Sequence, residues 1–385
     1  MKTYDWIVVG GGITGATLAY ELVKVGLSVL LLEQHATPDN ATRYSYGGLA
    51  YWSGTTPLTR QLCQEAIARY QILPQELDAD IELRELDLLL TISADTNPET
   101  AASFYANCAV PPSLLSVQDA CELEPLLNRE VISGALTVKH GHIHPDKTAQ
   151  AYIQAFLRAG GEMQISQVLQ ILKGGVQTNT DTYHSANVVI CAGGLSRQLL
   201  KLAGISIKVY FTHAEMIEIP PVDLHLQTLV MPANLQRFQL EAASTQVDEL
   251  WDELGNELVS PILDVGAVQF LDGSLRVGQI SRALTNPDAQ VNSKDSEQWL
   301  RNSITSVLPA LGNLPGTWHH CLVAFSNNRL PVIGAIPEFA GVHIFSGFSN
   351  PLVFVPPLAQ RFANFVTRQE DEIMMELTQV LFNAK

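Results

Sequence analysis

The chain is poor in cysteine, with five in 385 residues: Cys63, Cys108, Cys121, Cys191 and Cys321. They are scattered and odd in number, and no two form a C-x-x-C pair. This speaks against a disulfide framework and against a cysteine zinc site. A reducing cytoplasm is the expected compartment. Basic residues are also scarce, 23 Lys and Arg against 39 Asp and Glu, for a formal net charge of −16. Nucleic acid and anionic membranes need clustered cations, so neither is expected as a partner. No apolar run reaches the roughly 18 residues of a membrane span, and the N-terminus lacks the charged segment and small-residue cleavage site of a leader. What is present is 46% apolar and 16% charged residues, the make-up of a well-buried globular chain. Its length exceeds what one core usually holds, so two domains are expected.

The first 34 residues carry the strongest local signal. Trp6-Ile-Val-Val9 is a short apolar run with β-branched residues, as a buried parallel strand should be. Gly10, Gly12 and Gly15 follow as G-x-G-x-x-G, with Ile13 and Thr14 between them. Ala16, Leu18, Ala19, Leu22, Val23 and Val25 then recur at helical spacing, and Gly26 is a natural stop. Leu27 to Leu32 is a second strand, closed by Glu33 and Gln34. In such a βαβ unit the first glycine makes the tight turn and the second admits a pyrophosphate. The third lets helix and strand pack closely. The helix N-terminus offers N–H groups and partial positive charge to phosphates. Glu33 stands where an acid accepts a ribose hydroxyl and repels a 2′-phosphate, so NADP is not expected. The unit alone leaves NAD and FAD open.

Later segments narrow the choice. Ala186 to Gly204, "ANVVICAGGLSRQLLKLAG", reads as strand, Gly-Gly turn and helix, and resembles the late strand of glutathione-reductase-type FAD domains. Gly141 to Met163 reads as proline, helix, glycine. The C-terminal "RLPVIG" is followed by a strand from Val342 to Ser346, a Gly-Phe-Ser-Asn turn, and a helix expected from about Pro356. These blocks, in this order and over nearly the whole chain, resemble the D-amino-acid-oxidase superfamily of FAD enzymes, the group with glycine oxidase and monomeric sarcosine oxidase. The resemblance implies an α/β fold with an FAD-binding Rossmann-like domain of the glutathione-reductase type, from 1–81, 137–207 and 320–385. It is interleaved with an antiparallel-sheet α+β substrate domain from 82–136 and 208–319. Within the latter, Leu86 to Ile92 is a strand candidate, Val265 to Ser281 a hairpin turning at Asp272-Gly273, and Asp295 to Leu311 a helix.

The resemblance further implies oxidation of a small amine or amino-acid-like substrate at the C–N bond, with hydride passing to flavin N5 and the imine then hydrolysed. Oxygen or another acceptor takes the electrons. It places Gly10, Gly12, Ile13, Thr14, Gly15, Glu33 and Gln34 around the ADP half of FAD, with Val168, Ala192 and Gly193 beside them. Arg43, Ser45, Gly47 and Gly48, in "TRYSYGG", match a loop covering pyrophosphate and flavin. Gly347, Phe348, Ser349, Asn350 and Leu352 match an anion-stabilising turn, in which Pro351 has no N–H to give. Arg276 matches a lysine over the flavin that assists reaction with oxygen, and Cys321 a cysteine that forms a thioether to FAD. Two carboxylate anchors are absent: Val323 stands for the arginine and Phe354 for the lysine. Arg237 or Arg329 would have to replace them, or the substrate is a secondary amine without a carboxylate, or the chain binds FAD as a subunit or sensor without oxidising amines. His140, His142 and His144 recur at strand spacing, but no metal is expected there. Of His319 and His320, one is expected to face the pocket.

Overall fold

The computed structural model describes residues 2–383, and two sheets organise it. In the first, Trp6 to Val9 are all buried, because the strand Thr3–Val9 has a parallel neighbour on each side and is covered on both faces. One face packs on the helices Ile13–Lys24 and Pro351–Val366. The other packs on the hairpin of Val168–Leu172 and Gly175–Thr178 and on the helix Ser196–Leu202. The strand order is Val332–Ala335, Val342–Ser346, Thr182–Ile190, Thr3–Val9, Val29–Glu33, Glu162–Ile165. The last five run parallel. The chain thus starts in the middle of this sheet and returns to it near the C-terminus.

The second sheet has nine strands and is antiparallel but for one pair. Its order is Thr317–Ser326, Val209–Ile219, Leu275–Arg282, Ile262–Gln269, Leu229–Pro232, Arg84–Ser93, Ile132–His142 and Gly48–Leu49, with Ser113–Leu115 also on Ile132–His142. The expected domain limits at 137 and 320 fall inside strands. Ile132–His142 keeps its pairing with Arg84–Ser93 along its whole length, and Thr317–Ser326 does so with Val209–Ile219. His140, Cys321 and Val323 therefore belong to the wall this sheet makes. The expected hairpin is Ile262–Gln269 with Leu275–Arg282, and Gly273 at its tip has φ +86.

Two helices differ from their expected bounds. The one expected over 295–311 is Ser293–Val307, capped by the Asn292 side chain. Pro309 disfavours helical backbone at Leu308 and ends it. The last long buried helix begins at Pro351, five residues before the expected Pro356. Pro351 takes the first helical position, where its missing N–H costs nothing. Pro356 and Pro357 lie inside, and the Leu352 carbonyl that Pro356 leaves without a donor receives the Tyr70 hydroxyl at 2.7 Å. Among the described residues no helix is long and apolar enough to cross a membrane.

Candidate active site

A cleft of about 1950 Å³ runs between the two sheets, large enough for a dinucleotide and a small second molecule. It opens at the carboxyl ends of the parallel strands, where Val9, Leu32, Cys191 and Ser346 all line it. This is where open α/β sheets place their ligands.

At one end the G-x-G-x-x-G turn is dictated by contact. Gly10 has φ +107, and a Cβ there would stand 2.6 Å from the Cys191 carbonyl oxygen. A Cβ on Gly15 would come within 1.8 Å of the Gly10 carbonyl oxygen, so the helix can approach the strand only without one. No side chain of Gly12 can cap the helix Ile13–Lys24. The Thr42 hydroxyl takes the Ile13 N–H at 3.0 Å, leaving those of Thr14 and Gly15 without intrahelical acceptors. Glu33 lines the cleft and accepts the Gly11 N–H at 2.6 Å and the His35 N–H at 3.0 Å. Its carboxylate is thereby pinned at the mouth of the turn.

At the other end, Gly347 at φ +73 turns the chain into the helix Pro351–Val366, whose N-cap Asn350 makes no side-chain cap. Ser349, Asn350 and Leu352 supply N–H groups there, and Pro351 interrupts the row. The Ser349 hydroxyl donates to the Arg329 carbonyl at 2.9 Å. Other long helices are closed by Thr56, His144 and Asn292 side chains. The helices Ile13–Lys24 and Pro351–Val366 have no cap from their own N-cap side chains, and the first turns of both line the cleft.

Gln34, Ser45, Gly48, Val168, Ala192, Gly193, Cys321 and Phe348 also line the cleft. Burial pushes the Cys321 thiol up to about 12. Gly15 and Gly47 stand one layer behind it, and a Cβ on Gly47 would meet the Ile143 carbonyl oxygen at 2.1 Å. Tyr46 and Trp52 are in the wall, whereas Tyr51 packs on Tyr70. His320 lines the cleft and His319 stacks on Tyr44 at 4.6 Å.

Arg43 and Arg276 do not reach the cleft as expected. Arg43 makes a fork with Glu218, at 2.7 and 2.8 Å. Arg276 lies opposite Glu218 in the strand pairing, is 2% exposed, and donates to the Ser45 carbonyl. Burial, with Arg43 nearby, lowers it to about 10. Strand alternation turns it away, and Gln279, three residues on, is the cleft-lining member of that strand. Nothing local in the sequence pairs either arginine with Glu218, because the acid lies on a strand far along the chain. Thr42 and Gln279 were missed for the same reason.

The three alternating histidines have separate partners. His140 Nδ1 accepts the Trp52 indole N–H at 3.0 Å, and burial lowers it to about 4. His142 Nδ1 accepts from Arg84 Nε at 3.3 Å, so Nε2 holds the proton and donates to the Tyr46 carbonyl at 2.9 Å. His144 caps the helix Pro145–Arg158.

A five-stranded parallel core, an antiparallel roof and a cleft with open helix N-termini at both ends define a dinucleotide-dependent enzyme that works between two sheets. The chain belongs to the FAD dependent oxidoreductase family, whose model matches residues 5–365, and its cofactor is FAD. It is 27% identical over 388 residues to a glycine oxidase of Geobacillus kaustophilus, covering 95% of this chain and 94% of that one. It is 23% identical to a 4-methylaminobutanoate oxidase (formaldehyde-forming) of Paenarthrobacter nicotinovorans, over 94% of this chain and 43% of the relative's length. The crystal structure of the Geobacillus kaustophilus glycine oxidase superposes with a TM-score of 0.77 at 21% identity, covering 97% of this chain and 96% of that one, which establishes the shared fold.

Proposed function

We propose that this enzyme oxidises the C–N bond of a small amine or amino-acid-like substrate. The observation that carries this reading is the turn at Gly347 to Leu352, whose N–H groups and helix N-terminus face the same cleft as the roof of the second sheet. Negative charge developing there during the reaction would be stabilised without rearrangement. FAD, when bound, supplies the hydride acceptor, and the product imine is released to water for hydrolysis.

The residues divide by task. The amides of Thr14 and Gly15 and the carboxylate of Glu33 hold the nucleotide end, and Gly10 and Gly12 let backbone approach it. Phe348 and Ser349 sit at the turn. Ser349, through its bond to the Arg329 carbonyl, keeps the turn in place. Tyr46, Trp52, Met231 and Gln279 form the roof over the substrate space. Arg276 acts from behind it, holding the Ser45 carbonyl. The names of the two relatives, glycine oxidase and 4-methylaminobutanoate oxidase, also point to an amine substrate.

The test is anaerobic titration of the purified yellow protein with primary amines, N-methyl amino acids and cyclic imino acids. Bleaching of the flavin absorbance by any of them supports the reading. If none bleaches it while dithionite does, the chain is an FAD-binding protein without amine oxidation. Mixing the bleached enzyme with air then separates an oxidase from a dehydrogenase that needs another acceptor.

A further inference from the structure

We infer that Arg329 is the anion anchor of the cleft, and that the substrate carries its carboxylate beyond the α-position. This rests on the amine reading above. Val323 and Phe354 line the cleft as apolar side chains and offer a carboxylate nothing. Among the described residues no lysine lines the cleft, and its arginines are Arg237 and Arg329. Arg237 is already engaged, with Nε 3.3 Å from Glu241 Oε1.

Arg329 is different. Its guanidinium makes no hydrogen bond and no ion pair among the described residues, and lies over the Phe238 ring at 4.4 Å. Arg237 lies against the same ring at 5.1 Å, so two cations share one small region with Glu241 as their near counter-charge. A second anion would be welcome there. The backbone of Arg329 is left-handed, φ +62, a conformation that a residue with a side chain keeps only where its surroundings impose it. The surroundings are specific. Ser349 Oγ donates to the Arg329 carbonyl at 2.9 Å, Ser326 Oγ to the Leu330 carbonyl at 2.6 Å, and the Leu330 N–H to Asn328 Oδ1 at 3.1 Å. The turn that aims Arg329 is thus tied to the turn that holds charge at the reaction centre.

Position sets the substrate class. Val323 is on the strand Thr317–Ser326, and Arg329 is on the turn past its end. The strand advances about 10 Å between Val323 and Ser326. Val323 is half-buried and Arg329 exposed, so an anion held by Arg329 is displaced outward from the place of an α-carboxylate. An amine and its carboxylate separated by several methylenes span that displacement. An α-amino acid does not.

The experiment is a binding titration of the holoenzyme with straight-chain alkanoates from acetate to hexanoate, read by the flavin difference spectrum. The matching primary amides serve as neutral controls. Affinity is expected to rise with chain length for the acids, and Arg329→Gln is expected to weaken the longer acids at least tenfold while leaving the amides within twofold. Arg329→Lys should recover part of the loss. If acids and amides lose affinity alike, if Arg329→Gln changes neither, or if no alkanoate binds, the anchor is not Arg329. Should Arg329→Gln fail to retain FAD, Arg329→Lys with Arg237→Gln as comparison decides the same point: Arg329→Lys must weaken the long acids more than Arg237→Gln does. The titration reads no turnover, so its outcome stands apart from whether any amine bleaches the flavin.

Discussion

The Tyr70 hydroxyl donates to the Leu352 carbonyl at 2.7 Å, in place of the amide that Pro356 lacks. Both residues are buried, at 1% and 4% exposure, so the bond cannot be exchanged for one to water. Tyr70→Phe leaves a buried carbonyl unpaired and is expected to cost about 1–3 kcal/mol in urea denaturation. It should also loosen the first turn of the helix and raise the dissociation constant for FAD. Adding Pro356→Ala restores a backbone donor to Leu352 and should recover part of both losses. A double variant no better than the single one would show that the hydroxyl does something else.

Gly15 is the least replaceable residue of the nucleotide turn. A methyl group there would lie 1.8 Å from the Gly10 carbonyl oxygen, a backbone atom that cannot swing aside. Gly15→Ala is expected to give colourless protein, or protein whose FAD is lost on gel filtration, with about 1–3 kcal/mol lower stability. Gly26→Ala is the control, since its Cβ would meet nothing within 4 Å. Its cost should come from its φ of +86 alone, and it should stay yellow.

Glu218 balances two arginines, Arg43 at 2.7 Å and the buried Arg276 at 3.7 Å. Burial pushes its carboxyl up, but the hydrogen bonds and charge of Arg43, with Arg276 and His319, outweigh this and hold it below the usual range. A lowered carboxyl contributes stability that is present above its unfolded pKa, about 4.3, and is lost as pH falls through the folded value. Glu218→Gln should cost about 1–3 kcal/mol at pH 7, because Arg276 is left unbalanced. Its stability should be flatter with pH below about 4.3 than that of the parent. Equal acid profiles for the two proteins would rule this pairing out as a source of stability.

His142 is neutral in the fold because Arg84 donates to its Nδ1, and burial followed by the charge of Arg84 lowers it from 6.5 to about 3. The unfolded chain takes up that proton below pH 6.5, so stability is full above 6.5 and falls as pH drops toward 3. Through this window the residue contributes about 1.4 kcal/mol per pH unit to the acid slope. His142→Gln keeps an acceptor and a donor and is expected to remove that part of the slope, measured as urea midpoints at successive pH values.

Cys321 lines the cleft as a neutral thiol, with burial holding it up at about 12. A thiolate is the nucleophile a thioether requires, so denatured protein is expected to show the mass of the bare chain. A mass increased by one FAD would overturn this.

How much of this was legible beforehand follows the range of the forces involved. The nucleotide turn reads from about 30 consecutive residues, because strand, glycine turn, helix and acid are all local demands. The same holds for the Asp272-Gly273 hairpin. The start of the last long helix was misplaced because Pro356 looks like a helix opener. Its tolerance inside the helix depends on Tyr70, far away in the chain.

By itself, then, the sequence determined the strand, turn and helix of the dinucleotide end, where a Cβ at Gly10 or Gly15 would meet a backbone carbonyl oxygen at 2.6 or 1.8 Å. Tertiary structure alone decided the reactive end. Which of Arg43, Arg276 and Arg329 faces the cleft depends on strand register and on where Glu218 stands. An acid brought from elsewhere in the chain neutralises an arginine as fully as a substrate would. Only the fold reveals that, among the described residues, Arg329 makes no ion pair and lies over the Phe238 ring instead.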